Sequence, residues 1–223
     1  MSITFEDQAV SVGRLPSTKS EPVVAVKRRT LDSILIAAGA VMTVALVVAG
    51  GLLMWGANFS HDYVHDELSS QHVAFPPAAA LQEEGRSDLL KYAGRTVDTG
   101  AEAQAYASFI NGHLQKIADG ATYADLGTPE REANAAVDAA VAEGTDQAKV
   151  AELQATADEI TGQRNTLFKG ETLRGLLLSA YAWATVGAIA GYAGIAAFVA
   201  AGVMLLLVLL GMWHHRKVVT QRS

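Results

Sequence analysis

Gly175–Trp213 reads GLLLSAYAWATVGAIAGYAGIAAFVAAGVMLLLVLLGMW, 39 residues without one Asp, Glu, Lys or Arg. A bilayer crossing takes about 20 apolar residues, because the hydrocarbon core is about 30 Å thick and a helix rises about 1.5 Å per residue. A helix through the whole run is about 58 Å long. The run is therefore nearly twice what one crossing requires. Either it crosses twice, or half of it is an apolar helix standing outside the lipid.

The rest of the chain decides between these. Ile34–Ala57 is a second uncharged run, of 24 residues, long enough to cross once. About 30 residues precede it and no small-x-small site closes it, so it reads as a permanent anchor and not as a cleaved signal. Lys27, Arg28 and Arg29 precede the first run, and His214, His215, Arg216, Lys217 and Arg222 follow the second. Between Asn58 and Thr172 stand 19 acidic and 8 basic residues. Basic residues beside membrane helices stay cytoplasmic, which places both termini inside and the acidic middle outside. That parity needs two crossings in all, one per run. The long run also lacks Pro, Asn or a polar cluster at which a hairpin reverses. The chain has no cysteine, which excludes a disulfide framework, thiolate metal sites and a cysteine nucleophile.

The predicted fold class is all-α: two transmembrane helices flank a helical extracytoplasmic domain. The second membrane helix extends well above the outer surface. Residues 1–30, punctuated by Gly13, Pro16 and Pro22, read as a mobile cytoplasmic tail. Residues 31–56 form the first membrane helix, and Trp55 suits its outer interface. The outer domain covers 57–172. His61–Gln71 continues as a polar helix that Phe75-Pro76-Pro77 stops, and Ala78–Asp98 reads as irregular. Thr99-Gly-Ala-Glu102 is a capping-box pattern. Tyr106, Phe109, Ile110, Leu114 and Ile117 follow it at helical spacing and read as core, with Gly120 as the stop. A further helix opens at Thr128-Pro129. A last one starts near Asp146, carries Val150, Leu153, Ala157, Ile160 and Leu167 on one face, and runs on, with Gly162 or Gly170 as places for a kink.

Trp213 marks the inner interface of the second membrane helix, and about 20 residues back the outer boundary falls near Tyr192. The second crossing is thus 192–213, the basic tail 214–223, and the apolar helix above the membrane 173–191. Arg216 and Lys217 meet anionic headgroups. Ala180, Ala184, Gly187 and Gly191 form a stripe of small residues like those that let membrane helices pack closely. Its partner is the first helix (Ala45, Ala49 and Gly50), another copy, or a different protein.

One constellation has chemical potential. His61 and His65 lie four apart, one face of a helix, with His72 as a third ligand for zinc or copper. The spacing is that of a metalloprotease helix, but Asp62 stands where such a helix carries its essential Glu. The bland alternative is a solvated polar segment just above the membrane. No catalytic residue and no cofactor is assigned. There is no G-x-S-x-G, phosphate-binding glycine loop or Rossmann fingerprint, and a negative outer domain is a poor nucleic-acid binder.

Leu167–Trp183 reads LFKGETLRGLLLSAYAW. With Val64-x-Asp66-x-Leu68-x-x-Gln71, Phe75-Pro76, Tyr92-Ala-Gly94, and the pieces from Gln104-Ala-Tyr106 through His113-Leu114 to Thr122-Tyr123, it resembles an uncharacterised family of actinobacterial two-helix membrane proteins. The resemblance covers roughly Ala57–Leu210, and the Leu167–Trp183 block is its specific part. It implies a membrane protein. Members often carry an automatic name as an aromatic ring-opening dioxygenase subunit. That chemistry needs buried iron held by histidines and a carboxylate, and His61, His65 and His72 are not part of the family pattern. The leading expectation is a structural or accessory protein of the cell envelope whose partners are the bilayer and a homo-oligomer or another membrane protein. A metal-binding or enzymatic outer domain, and a sensor subunit acting through a partner, are the alternatives.

Overall fold

The computed structural model describes residues 28–220, with side chains over 30–216. The N-terminal tail and the Lys217 side chain lie outside the described residues. Five α-helices follow in order: α1 (Arg28–Ser69), α2 (Ala78–Glu83), α3 (Gly100–Leu114), α4 (Gly127–Ala142) and α5 (Gln147–Thr220). Short 3-10 turns at Ser87–Tyr92 and Ile117–Gly120 join them. Among the described residues the only strand-like pairing is an antiparallel bridge of Ala74 with Thr96.

Two helices are long and apolar enough to cross a membrane, α1 and α5. Only 6% and 11% of their most apolar windows are buried inside the chain. The core helix of a water-soluble protein buries most of such a window, whereas these helices leave most of their apolar surface uncovered by the chain itself. The two run antiparallel. Gly211 sits on Ile36, Gly39 on Val208 and Met204, Gly194 on Gly50, and Gly187 on Ser60. On α1 the inward positions Ile36, Gly39, Thr43, Leu46, Gly50 and Ala57 fall on a three-and-four spacing. On α5 Ala180, Gly187, Gly194, Ala201 and Val208 repeat every seven residues. That spacing keeps one seam facing its partner and gives a left-handed pair.

α5 has 74 residues, about 111 Å of helix, and organises the shorter helices that lie between it and α1 in the chain. Its inward side touches α4 first, then α3, then α1. Val150, Leu153, Ala157, Ile160 and Leu167 lie on this inward side, Ala157 and Leu167 fully buried. No interruption occurs at Gly162 or Gly170; Gly170 instead admits the Leu114 side chain of α3. The core is three small clusters. Val64, Leu68, Phe75, Val97 and Ala103 form the one nearest α1. Leu81, Leu89 and Phe109 form the second, and Leu114, Leu126 and Leu167 the third.

Several expected boundaries move. Proline does not stop α1: the helix ends at Ser69, and His72 takes a left-handed conformation (φ 53°) three residues later. Ala78–Asp98 is not irregular but holds α2 and a 3-10 turn whose Leu81 and Leu89 are buried. Gly120 does not end α3, which stops at Leu114; Gly120 closes the following turn instead. Thr128 does not cap α4. No side chain caps α4, whose N-cap is Leu126; the turn before it is closed by the Asp125 carboxylate accepting from the Thr122 N–H (2.9 Å) and the Thr122 hydroxyl accepting from the Asp125 N–H (3.2 Å). The physics is that of the capping box, but Asp replaces the usual Glu.

Arg164 ties α4 to α5. Its guanidinium meets the Glu130 carboxylate at 2.5 Å, donates to the Tyr123 carbonyl at 3.3 Å and lies 4.1 Å over the Tyr123 ring. A planar fork does all three; an ammonium group does not. Arg164→Lys should therefore loosen α4 by about 1–2 kcal/mol, seen as faster amide hydrogen exchange over α4 with α3 unaffected. Equal protection of α4 in both proteins would assign the docking to the Leu126 cluster alone.

Candidate functional site

Three features around the upper α1–α5 contact have functional potential. The first is the level of the aromatic side chains. Gly191 packs on Ala57, a Cβ built on it lying 3.5 Å from the Ala57 Cβ, so Tyr192 stands at the height of Trp55. At the other end Gly211 packs on Ile36, which brings Trp213 level with the start of the uncharged part of α1. Tyr192 and Trp213 are 75% and 59% exposed and Trp55 is 68% exposed, as interfacial rings are. From Tyr192 to Trp213 α5 rises about 32 Å, close to the bilayer's hydrocarbon thickness. Arg216 lies just beyond, and Lys217 follows it in the same helix.

The second feature is the small-residue stripe, which the chain uses on itself. Gly187 lies against Ser60 and the Ala57 carbonyl, Gly191 against Ala57, and Ala180 and Ala184 against Gly100 at the start of α3. The contact on α1 is thus Ala57 and Ser60, above the expected Ala45 and Ala49. The Ser60 hydroxyl, buried by this approach, donates to the Trp183 carbonyl at 2.6 Å. The sequence signal for Ser60 was only that a small polar residue falls opposite a glycine.

The start of α3 is fixed by a buried carboxylate. Glu102 is 1% exposed. Its Oε2 accepts from the Thr99 hydroxyl (2.8 Å) and from the Thr99 and Asp98 N–H groups (3.1 and 3.2 Å), and its Oε1 meets Arg95 at 2.5 Å. Burial by itself pushes this carboxyl up. Hydrogen bonds from Thr99 and Asp98 and the charge of Arg95 outweigh it and hold it below the ordinary carboxylate range. The same arrangement holds Asp98 above its ordinary range, chiefly through a hydrogen bond shared with Glu102.

The third feature is a groove of about 590 Å³ between upper α1, α3 and α5. Tyr63, Leu68, Val97, Tyr106, Leu176 and Trp183 are among its walls, and Glu67 and Gln71 stand on its rim. Tyr63 is also the top rung of an aromatic ladder on α1: Trp55 stacks on Phe59 (5.9 Å) and Phe59 on Tyr63 (6.1 Å). The sequence signal for this ladder is the spacing of its aromatic residues, four apart along α1.

The histidines are placed differently from one another. His61 and His65 stack, their centroids 6.5 Å apart, and His65 Nδ1 lies 3.3 Å from the Asp98 carbonyl. His72 stands beyond the end of α1 on its left-handed turn. Among the described residues no three His, Asp or Glu side chains are grouped to hold a metal ion.

No family model, curated protein or solved structure matches the chain.

Proposed function

We propose that this chain is an integral protein of the cell membrane that crosses it twice, both termini cytoplasmic. It serves the envelope as a structural or accessory protein through its outer surface and not through chemistry of its own. The observation that carries this reading is the alignment of Trp55 with Tyr192. Each falls at an outer boundary expected from its own segment of sequence, and the packing of Gly191 on Ala57 brings them to one height. A pair of helices with no bilayer to match has no reason to align its interfacial rings. The similarity of Leu167–Trp183 to two-helix membrane proteins belongs to the same reading.

Above that height the two helices differ. α1 carries His61, Asp62, Asp66 and Glu67, whereas α5 exposes Val186 (56%) and Ile189 (63%) on the side turned away from α1 and α3. An exposed apolar strip of this kind on an otherwise acidic domain marks an interaction surface. The partner is another copy or a second membrane protein. Extraction in a mild detergent should recover an oligomer or a stable complex, and Val186→Glu with Ile189→Glu should dissociate it without altering the helix content. Recovery only as a monomer, before and after these changes, would remove the accessory role.

A further inference from the structure

We propose that the groove between upper α1, α3 and α5 holds one hydrocarbon chain of an outer-leaflet lipid that carries no net negative charge. This rests on the two-crossing reading above.

Size admits a single chain. From Leu173 to Trp183 the groove follows ten residues of α5, about 15 Å. Its volume of about 590 Å³ lies within the range of small-ligand sites, and one alkyl or isoprenoid chain fits this length.

Position names the source. Trp183 lies nine residues above Tyr192, about 13 Å beyond the hydrocarbon edge, so the groove itself is outside the bilayer. An apolar path nevertheless connects them: the Trp55–Phe59–Tyr63 ladder on α1 ends in the groove wall. On α5, Trp183 is exposed and lines the groove at the end nearer the membrane.

Charge selects the headgroup. Glu67 and Gln71 stand at the end of the groove farther from the membrane, and no Lys or Arg lines it. Of the neighbouring arginines, Arg174 pairs with Glu171 and Arg95 with Glu102. A phosphate monoester or carboxylate there would face Glu67 without a counter-charge. A hydroxyl, or a zwitterion whose cation approaches Glu67, is accepted.

The test uses the full chain in nanodiscs and the fluorescence of one tryptophan at a time. Bromine quenches indole only at short range, so lipids brominated at mid-chain report contact with the hydrocarbon interior. In the Trp55→Phe, Trp213→Phe protein only Trp183 remains. Brominated phosphatidylcholine should quench it, and Ser179→Phe, which fills the groove from an exposed wall position, should restore the signal. Brominated phosphatidylglycerol should quench it less. In the Trp183→Phe, Trp213→Phe protein, Trp55 reports the membrane placement alone. Quenched Trp55 with unquenched Trp183 would overturn the lipid site and leave the two-crossing reading standing. Quenching of neither would overturn both. Trp183 quenching that survives Ser179→Phe would mean that the domain dips into the bilayer and would overturn the groove as the site, and stronger quenching by phosphatidylglycerol would overturn the charge selection.

Discussion

A Gly187→Leu protein should lose the close approach of α1 and α5 around Ser60. A Cβ at Gly187 would stand 2.7 Å from the Ser60 Cβ and 3.4 Å from the Ala57 carbonyl oxygen. Neither is the far end of a flexible side chain. One helix has to move, which overpacking data put at about 1–3 kcal/mol, with larger values where backbone is involved. The Ser60 hydroxyl would also lose the Trp183 carbonyl, leaving that hydroxyl without its partner beside an apolar seam. The chain supplies a clean readout because it has no cysteine. The 3.5 Å separation at Gly191 and Ala57 is within the span of a disulfide's Cβ atoms. An Ala57→Cys, Gly191→Cys protein should therefore oxidise within one chain, and adding Gly187→Leu should abolish the bond. Gly202→Leu is the control, since nothing lies within 4 Å of a Cβ there, and the bond should persist. A disulfide unaffected by Gly187→Leu would show that this contact does not set the helix spacing.

The second large effect is expected at Glu102. Glu102→Ala removes the acceptor of two backbone N–H groups and one hydroxyl, and leaves Arg95 without its counter-ion. Breaking a buried ion pair at one partner costs about 3–5 kcal/mol, and loss of an ordinary cap about 1 kcal/mol. Arg95 can turn to water, since its side chain is 58% exposed, so a loss of about 3 kcal/mol is expected. It should appear in thermal unfolding and as lost amide protection through the first turn of α3. Asp125→Ala removes the equivalent acceptor from an exposed turn and should have a much smaller effect. A comparable loss at both positions would deny Glu102 any special role.

The pH response has a definite sign. Glu102 is held below its unfolded value, so its contribution is complete above the ordinary carboxylate range and disappears as pH falls through the folded value. Asp98 is held above its unfolded value. Its contribution is present at low pH and is lost as pH rises through the folded value. Acidification should first relieve Asp98 and then unlock Glu102. Stability near α3 should therefore pass through a shallow maximum on the acid side, and Glu102→Gln should remove the steep fall below it.

The legibility of this chain varied with the range of the interaction. The Thr99–Glu102 box was readable because both partners lie within one turn, and so was the apolar side of α5 from Val150 to Leu167. The Thr122–Asp125 pair is equally local, yet Thr128-Pro129 carries the more familiar pattern and sets the expected start a residue or two late, since α4 begins at Gly127. The end of α1 differs for a similar reason: proline is a visible stop, whereas the helix ends ahead of a left-handed His72 and of the long-range bridge of Ala74 with Thr96, neither of which has a local pattern. Ala78–Asp98 looked irregular because Leu81 and Leu89 sit in segments too short to establish a period. They find their core only when Phe109 of α3 is brought over them.

By itself the sequence determined the helical class, the two apolar runs and the excess length of the second, since run length and charge are properties of the chain alone. Tertiary structure decided what that excess is for. One side of Leu173–Gly191 closes on Ser60, Gly100 and the α3 core, and only its other side remains exposed. A stripe of small residues states that something comes close. What comes close depends on the register of two helices more than a hundred residues apart in the chain, and that register is fixed by packing along their whole length.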